Sequence, residues 1–455
     1  KTVIKILLWK FKKDCKVNIV NKIFNFLLLL IILTSCSLNN KSKFWTKSKN
    51  IKKENLEIKE VYKEPDIYEK EFNSELKIKI NEQVKKNSFI NNLSNNNSVV
   101  YFDSSLKNIS KYKFSKITNF NQYQPDLLIT QKKTLIFFDD KGSILNFDQN
   151  SNLLWKNNIY KKKDRKHKPI LYFASIENVL IVVDNIANYY ALNINNGELI
   201  WFKGNPSPFN SQVKIYGDKF FAVDFENVLR CYSIKNGKEI WSYKTDQSLI
   251  KSQQKLSLAI NENENSVFFL NSLGDLTSVN IETGNLIWQT PTQSTDIYEN
   301  SFMLKNSDII NANNSIYFSN NKNEFFSIDE KTGVMKWKQT VNSNLRPTFV
   351  DNLIFTITVE GYLTILDPRN GNILRMTYVL QKIKKVKKKN IYPTGFIVTA
   401  KDIYISLNNG WLIIVDLLTG KSKEILKLSS EKISRPYVLN NNIYIVRNNA
   451  ILKIN

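Results

Sequence analysis

The chain has 455 residues, 42% apolar and 12% aromatic, enough to bury a large core, and its 65 Lys and Arg against 41 Asp and Glu give a net charge of +24. That balance favours anionic partners, whether nucleic acid, lipid head groups or an acidic protein face. One histidine and three cysteines exclude the usual zinc and haem ligand sets, and neither a Gly-rich phosphate loop nor a nucleophile elbow occurs.

The first 35 residues hold seven lysines against Asp14, so +18 remains beyond them. Residues 23–33 (IFNFLLLLIIL) form an apolar run of 11 residues. This is too short to cross a hydrocarbon core of about 30 Å as a helix, but it suits the apolar region of a secretory signal. The next residues, Leu33-Thr34-Ser35-Cys36, have the form of a bacterial lipobox. They predict a signal peptide over 1–35, cleavage before Cys36 and a diacylglyceryl group on its thiol. Export in turn disfavours nucleic acid as the partner. Residue 1 is not Met and the basic segment is long, as in a fragment or a chain with a misplaced start. Cys15 leaves with the signal, and Cys231 is then the only thiol besides Cys36, expected as a buried small apolar residue.

Residues 36–98 are polar and rich in Lys, Glu and Asn, ending in the run NNLSNNNS at 91–98. They read as a lipidated flexible tether. As separate globular units the 455 residues would suggest about three domains at roughly 150 residues each, but a repeat overrides that prior. NSNLLW (150–155), NGELIW (196–201), NGKEIW (236–241), TGNLIW (283–288) and TGVMKW (332–337) recur, followed in register by NGNILR ending at Arg375 and TGKSKE ending at Glu424. The end positions lie 46, 40, 47, 49, 38 and 49 residues apart. Short alternating strands with Gly turns fill each interval, as expected of propeller blades with a period of about 40–50 residues.

The last repeat has no Trp strand, since the chain ends in NIYIVRNNAILKIN (442–455). Residues 109–117 (ISKYKFSKI) have the alternation to supply the missing outer strand. The prediction for 99–455 is therefore an all-β, eight-bladed propeller of four-stranded antiparallel blades, closed by an N-terminal strand. Trp155, Trp201, Trp241, Trp288 and Trp337 follow Gly turns, or Ser151 in the first copy. Their indoles are expected to lie against the neighbouring blade with the N–H on a backbone carbonyl, as structural residues that dock the blades.

The runs KKKDRKHK (161–168) and KIKKVKKK (382–389), net +5 and +6, both follow the last strand of a blade and so should share a face. They are solvated loops or an electrostatic surface for head groups or an acidic partner. His167, the lone histidine, lies inside the first run and reads as a solvated loop residue.

The Gly-x-x-x-Trp repeat resembles the PQQ-type propeller repeat, found in quinoprotein dehydrogenases and in non-enzymatic binding propellers. Together with the lipobox and the closing strand, residues 36–455 resemble the BamB family, and the segments at 211–241 and 319–333 resemble its alphaproteobacterial branch. The resemblance implies a monomeric scaffold subunit of a hetero-complex, without catalysis or cofactor, attached to the outer membrane by lipid. Its partner would be the POTRA domains of the β-barrel insertase. In the family, a loop after the third-blade Trp carries apolar residues and an arginine that meet the insertase. The matching stretch is 245–257, with Leu249, Ile250 and Lys251 nearest the pattern; Lys251 lacks the planar fork of an arginine. Two alternatives are a PQQ-dependent dehydrogenase and a carbohydrate- or peptidoglycan-binding propeller. The first resembles enzymes with an adjacent-cysteine disulfide, which Cys36 and Cys231 do not supply. The second needs exposed aromatics such as Tyr189, Tyr190 and Trp411.

Overall fold

The structure, a computed structural model, describes residues 70–81, 93–118, 120, 126–245, 254–293, 304–383 and 390–455. Its strands form eight sheets of four antiparallel strands, one of them extended by a fifth. Blade 3 is typical: Lys214–Tyr216 innermost, then Lys219–Val223, Val228–Ser233 and Glu239–Lys244 outermost. The inner strands of successive blades neighbour one another around the axis. Because alternate strands reverse, hairpins joining strands one to two and three to four lie on one face of the ring. We call this the turn face. Hairpins joining strands two to three and the blade-to-blade connections lie on the other, the crossing face.

A bulge recurs just before each Trp, as between Leu199 and Trp201 or Glu239 and Trp241. It pushes the preceding residue outward, leaving Leu154, Ile200, Ile240 and Ile287 about half exposed, and aims the indole along the ring at the next blade. There the N–H reaches the predicted carbonyl: Trp155 donates to Ile194 O at 2.9 Å, Trp201 to Ile234 O at 2.8 Å, Trp241 to Ile281 O at 3.0 Å, Trp288 to Glu330 O at 3.1 Å and Trp337 to Pro368 O at 2.8 Å. The glycine of the receiving turn is required twice over. Gly284 has φ +73°, and a Cβ there would stand 2.6 Å from the Trp241 ring. Trp241→Ala is expected to cost about 3–5 kcal/mol, read as a lowered urea midpoint; an unchanged midpoint would show that the indole does not clamp the blades.

The ring closes as predicted. Ile109–Lys113 pairs antiparallel with Ala450–Ile454 as the outer strand of blade 8, ahead of Asn442–Arg447 and Tyr437–Leu439. Tyr112 takes the position of a Trp there, its hydroxyl donating to Gln149 O at 3.0 Å in blade 1. That turn carries Ser151 at φ +73° where other blades have Gly.

Two segments expected to belong to the tether are instead bonded into the propeller. Phe72 exchanges backbone hydrogen bonds with Met376 on the outer edge of blade 6, and Ile78, buried, donates its N–H to Leu418 O at 3.0 Å. Residues 93–98 cross the inner strands: Leu93 O accepts from Ile260 N, Ser94 O from Asn311 N, and Asn96 bonds Phe349 through both its side-chain oxygen and nitrogen. Val99–Val100 then adds a parallel strand to Pro393–Thr399 of blade 7. Composition misled because this strap is held largely through Asn side chains and backbone groups, with scattered apolar anchors such as Ile78 and Leu93 in place of a periodic stripe. It keeps to the turn face, as its contacts to Asp351, Lys401, Leu418 and Asn441 show. Cys36 and the rest of 36–69 and 82–92 lie outside the described residues.

Candidate functional site

The charged groups nearest the axis sit just ahead of the inner strands, at the crossing-face mouth. Asp126 precedes Leu128–Ile129, Lys255 precedes Leu258–Asn261, Asp308 precedes Ile310–Ala312, Arg346 precedes Thr348–Val350, and Arg435 precedes Tyr437–Leu439. Lys214 opens the inner strand of blade 3. Eight strands converging on one axis bring together residues far apart in the chain.

Lys255 forms an ion pair with Asp126, whose other oxygen accepts from the Tyr437 hydroxyl at 3.1 Å. Arg346 donates from Nε to Asp308 Oδ2 at 2.8 Å and adds a second contact from Nη2. Deeper along the axis, the buried Asn95 of the strap donates to Leu258 O at 2.7 Å and Ile309 O at 2.9 Å, and accepts from Lys214 Nζ at 2.6 Å. Gln212 ties the same level together, its Oε1 accepting from Leu258 N at 3.0 Å. A cavity of ≈130 Å³ opens among these groups, bounded by Asn95, Gln212, Lys214, Lys255, Arg346 and Tyr437.

Burial opposes ionisation of Asp308, but Arg346 and Lys255 outweigh it and hold the carboxyl well below its ordinary value. A carboxylate with a depressed pKa stabilises the fold above its unfolded value of about 4 and loses that contribution as pH falls further. Arg346→Met is therefore expected to destabilise at neutral pH, with the gap from wild type narrowing below about pH 4. Urea melts across pH check this, and a gap independent of pH would show that the ion pair is not its source.

Leu249, Ile250 and Lys251 lie outside the described residues; their loop leaves the outer strand of blade 3 at Lys244 and re-enters before Lys255 at the axial mouth. Of the basic runs, Lys162–Arg165 forms a helical turn, His167 is exposed, and residues 384–389 lie outside the described residues. Both connect consecutive blades and so start from the crossing face. Cys231 is buried, its thiol pushed up to about 12 by burial. Tyr189 and Tyr190 are buried, and Trp411 is part-buried against the core of blades 6 and 7. These aromatics therefore do not form the exposed platform that a saccharide-binding propeller needs. Among the described residues no group of His, Cys, Asp and Glu is arranged to hold a metal, and no helix is long and apolar enough to cross a membrane.

The sequence reading missed the axial charges, though five repeats place a charged residue two or three positions ahead of the inner strand. It also missed Arg375, the fully buried end of the sixth copy. Its Nη1 donates to Leu418 O at 2.6 Å and Leu76 O at 3.0 Å, and its Nη2 to Leu417 O at 3.0 Å. Burial pushes its pKa down to about 10, with Asp416 opposing. An indole has one N–H; the guanidinium satisfies the blade-to-blade carbonyls and still reaches the strap.

Eight blades locked by Gly-x-x-x-Trp repeats and closed by an N-terminal strand define a PQQ-type repeat propeller. The chain belongs to the family described as outer membrane protein assembly factor BamB, whose model matches residues 140–377, just over half of it. The fold is similar to BamB from Moraxella catarrhalis, at 14% identity over 76% of this chain and 100% of that one, TM-score 0.61. It is also similar to a europium-containing methanol dehydrogenase, at 11% identity over 79% of this chain and 89% of that one, TM-score 0.59. A quinohemoprotein alcohol dehydrogenase from Comamonas testosteroni matches at 9% identity over 78% of each chain, TM-score 0.58. No curated protein matches the sequence.

Proposed function

We propose that this protein is a non-catalytic scaffold of the outer-membrane β-barrel assembly machinery. In this reading it is lipid-anchored through Cys36 at the periplasmic face of the outer membrane and binds the POTRA domains of the barrel insertase. The family match over 140–377 carries the reading. The crossing face is the docking surface we favour: the strap occupies the turn face, while the loop at 245–257 and both basic runs begin from the other. Apolar Leu249 and Ile250 supply affinity there, and the lysines steer an acidic partner.

Affinity purification from detergent-solubilised envelopes tests this directly. Recovery of an outer-membrane insertase supports the scaffold. A cytochrome or quinone partner, with dye-linked alcohol oxidation on adding pyrroloquinoline quinone, would favour the dehydrogenase reading that the fold neighbours raise. For the anchor, Cys36→Ala is expected to move the protein from the membrane fraction into the soluble periplasm. Wild-type protein already soluble, with no lipid mass on its N-terminal peptide, would count against lipidation.

A further inference from the structure

The axial mouth holds more cation than anion. Among the described residues, Lys214, Lys255 and Arg346 edge the axial cavity against one carboxylate, Asp126, an excess of two positive charges when all are ionised, while Asp308 and Arg435 act on them from outside its lining. Arg346 and Lys255 engage the two carboxylates. Arg435 instead stacks on the ring of Tyr437, 5.6 Å from its centre, and its buried Nε has no hydrogen-bond acceptor.

The cavity of ≈130 Å³ is edged by Lys214, Lys255, Arg346 and Tyr437. An enclosed volume of about 150 Å³ holds a molecule of benzene size, so the space suits about six to eight heavy atoms. We propose that this axial cavity is a binding site for a small dicarboxylate, of malonate to succinate size. Two carboxylates match the excess of two charges, and their paired oxygens suit guanidinium and ammonium donors. Gln212 and Tyr437 add neutral polar groups to the wall and Asp126 a carboxylate, while Leu171, Phe173 and Val213 give it an apolar side.

The charge state of Lys214 is coupled to the ligand. Burial first, then Arg346 and Lys255, push its pKa down to about 7, against the pull of Asp308 and Asp126. A bound dianion favours the ammonium form, so binding takes up a proton. Affinity should be steady below this value until the ligand's own second carboxylate protonates, and fall above it by up to about tenfold per pH unit.

The test is calorimetric titration of the full chain with succinate at pH 6.5 and low salt. Saturable binding of one succinate per chain is expected, weakened at least tenfold by Lys214→Met and by Lys255→Met. Competition by a short Asp-bearing peptide would assign the carboxylate to a docked chain; succinate binding without such competition would assign it to a free acid. Absence of saturable heat in the wild type, or the same heat with sodium chloride at matched ionic strength, would overturn the site. Should either variant fail to fold, crystals of the wild type grown in succinate decide: ligand density at Lys214 supports the proposal, and a cavity holding only water overturns it.

Discussion

Deleting residues 109–117 is expected to unfold the ring. The deletion removes the outer strand of blade 8 and uncovers Ala450–Ile454, whose Ile451, Leu452 and Ile454 are fully buried. It also removes Tyr112, which blade 8 uses to grip blade 1. Truncating one buried aromatic costs about 3–5 kcal/mol, and total stabilities of domains run to about 5–15 kcal/mol, so losing this residue together with a whole strand exceeds the margin. The exposed edge should then drive aggregation. Size-exclusion chromatography and a thermal melt check this. A truncated chain that stayed monomeric and as heat-stable as the parent would mean that the ring does not depend on closure.

Changing both Leu249 and Ile250 to Asp should abolish co-purification with the insertase while leaving the melt unchanged. Each apolar side chain fully buried at an interface contributes about 1.5–3 kcal/mol. The pair is thus expected to supply about 3–6 kcal/mol, a loss of at least roughly a hundredfold in affinity. The variant tests the residue assignment apart from the fold, because the loop lies beyond the outer strand of blade 3. A folded variant that bound the insertase like the parent would remove this loop as the docking site.

The Trp period was readable because one physical contact, an indole lying on the next blade's Gly turn, recurs from blade to blade. The two degenerate copies mark places where the contact differs: blade 7 still offers a Gly turn to blade 6, at Gly420, whereas blade 8 offers none to blade 7. Blade 6 uses Arg375 because its partner surface includes the strap. Blade 7 ends its copy at the exposed Glu424 because blade 8 offers no third-to-fourth-strand turn. At that position the two ends of the ring meet, Asn108 and Asn455 exchanging backbone hydrogen bonds at 3.0 and 3.1 Å. The axial charges were not readable, since Asp126 and Lys255, or Asp308 and Arg346, become neighbours only when the ring closes. Tyr189 and Tyr190 show the limit of alternation: both faces of a blade are covered by other blades, so adjacent residues are buried together.

The strap also sets how the molecule bears load. Tension transmitted along the chain to residue 70 meets Glu71 on Tyr378 and Gln381, Phe72 on Met376 and Asn73 on Leu374 first, then Leu76 on Arg375 and Ile78 on Leu418. These grips are spaced along the backbone, so they yield one after another and dissipate a pull in small steps. The strand that closes the ring lies downstream of all of them, and of Asn95 with its bonds to Leu258 and Ile309. The weakest seam of a circular fold is thereby the last part of the molecule to feel a tug on its leading end.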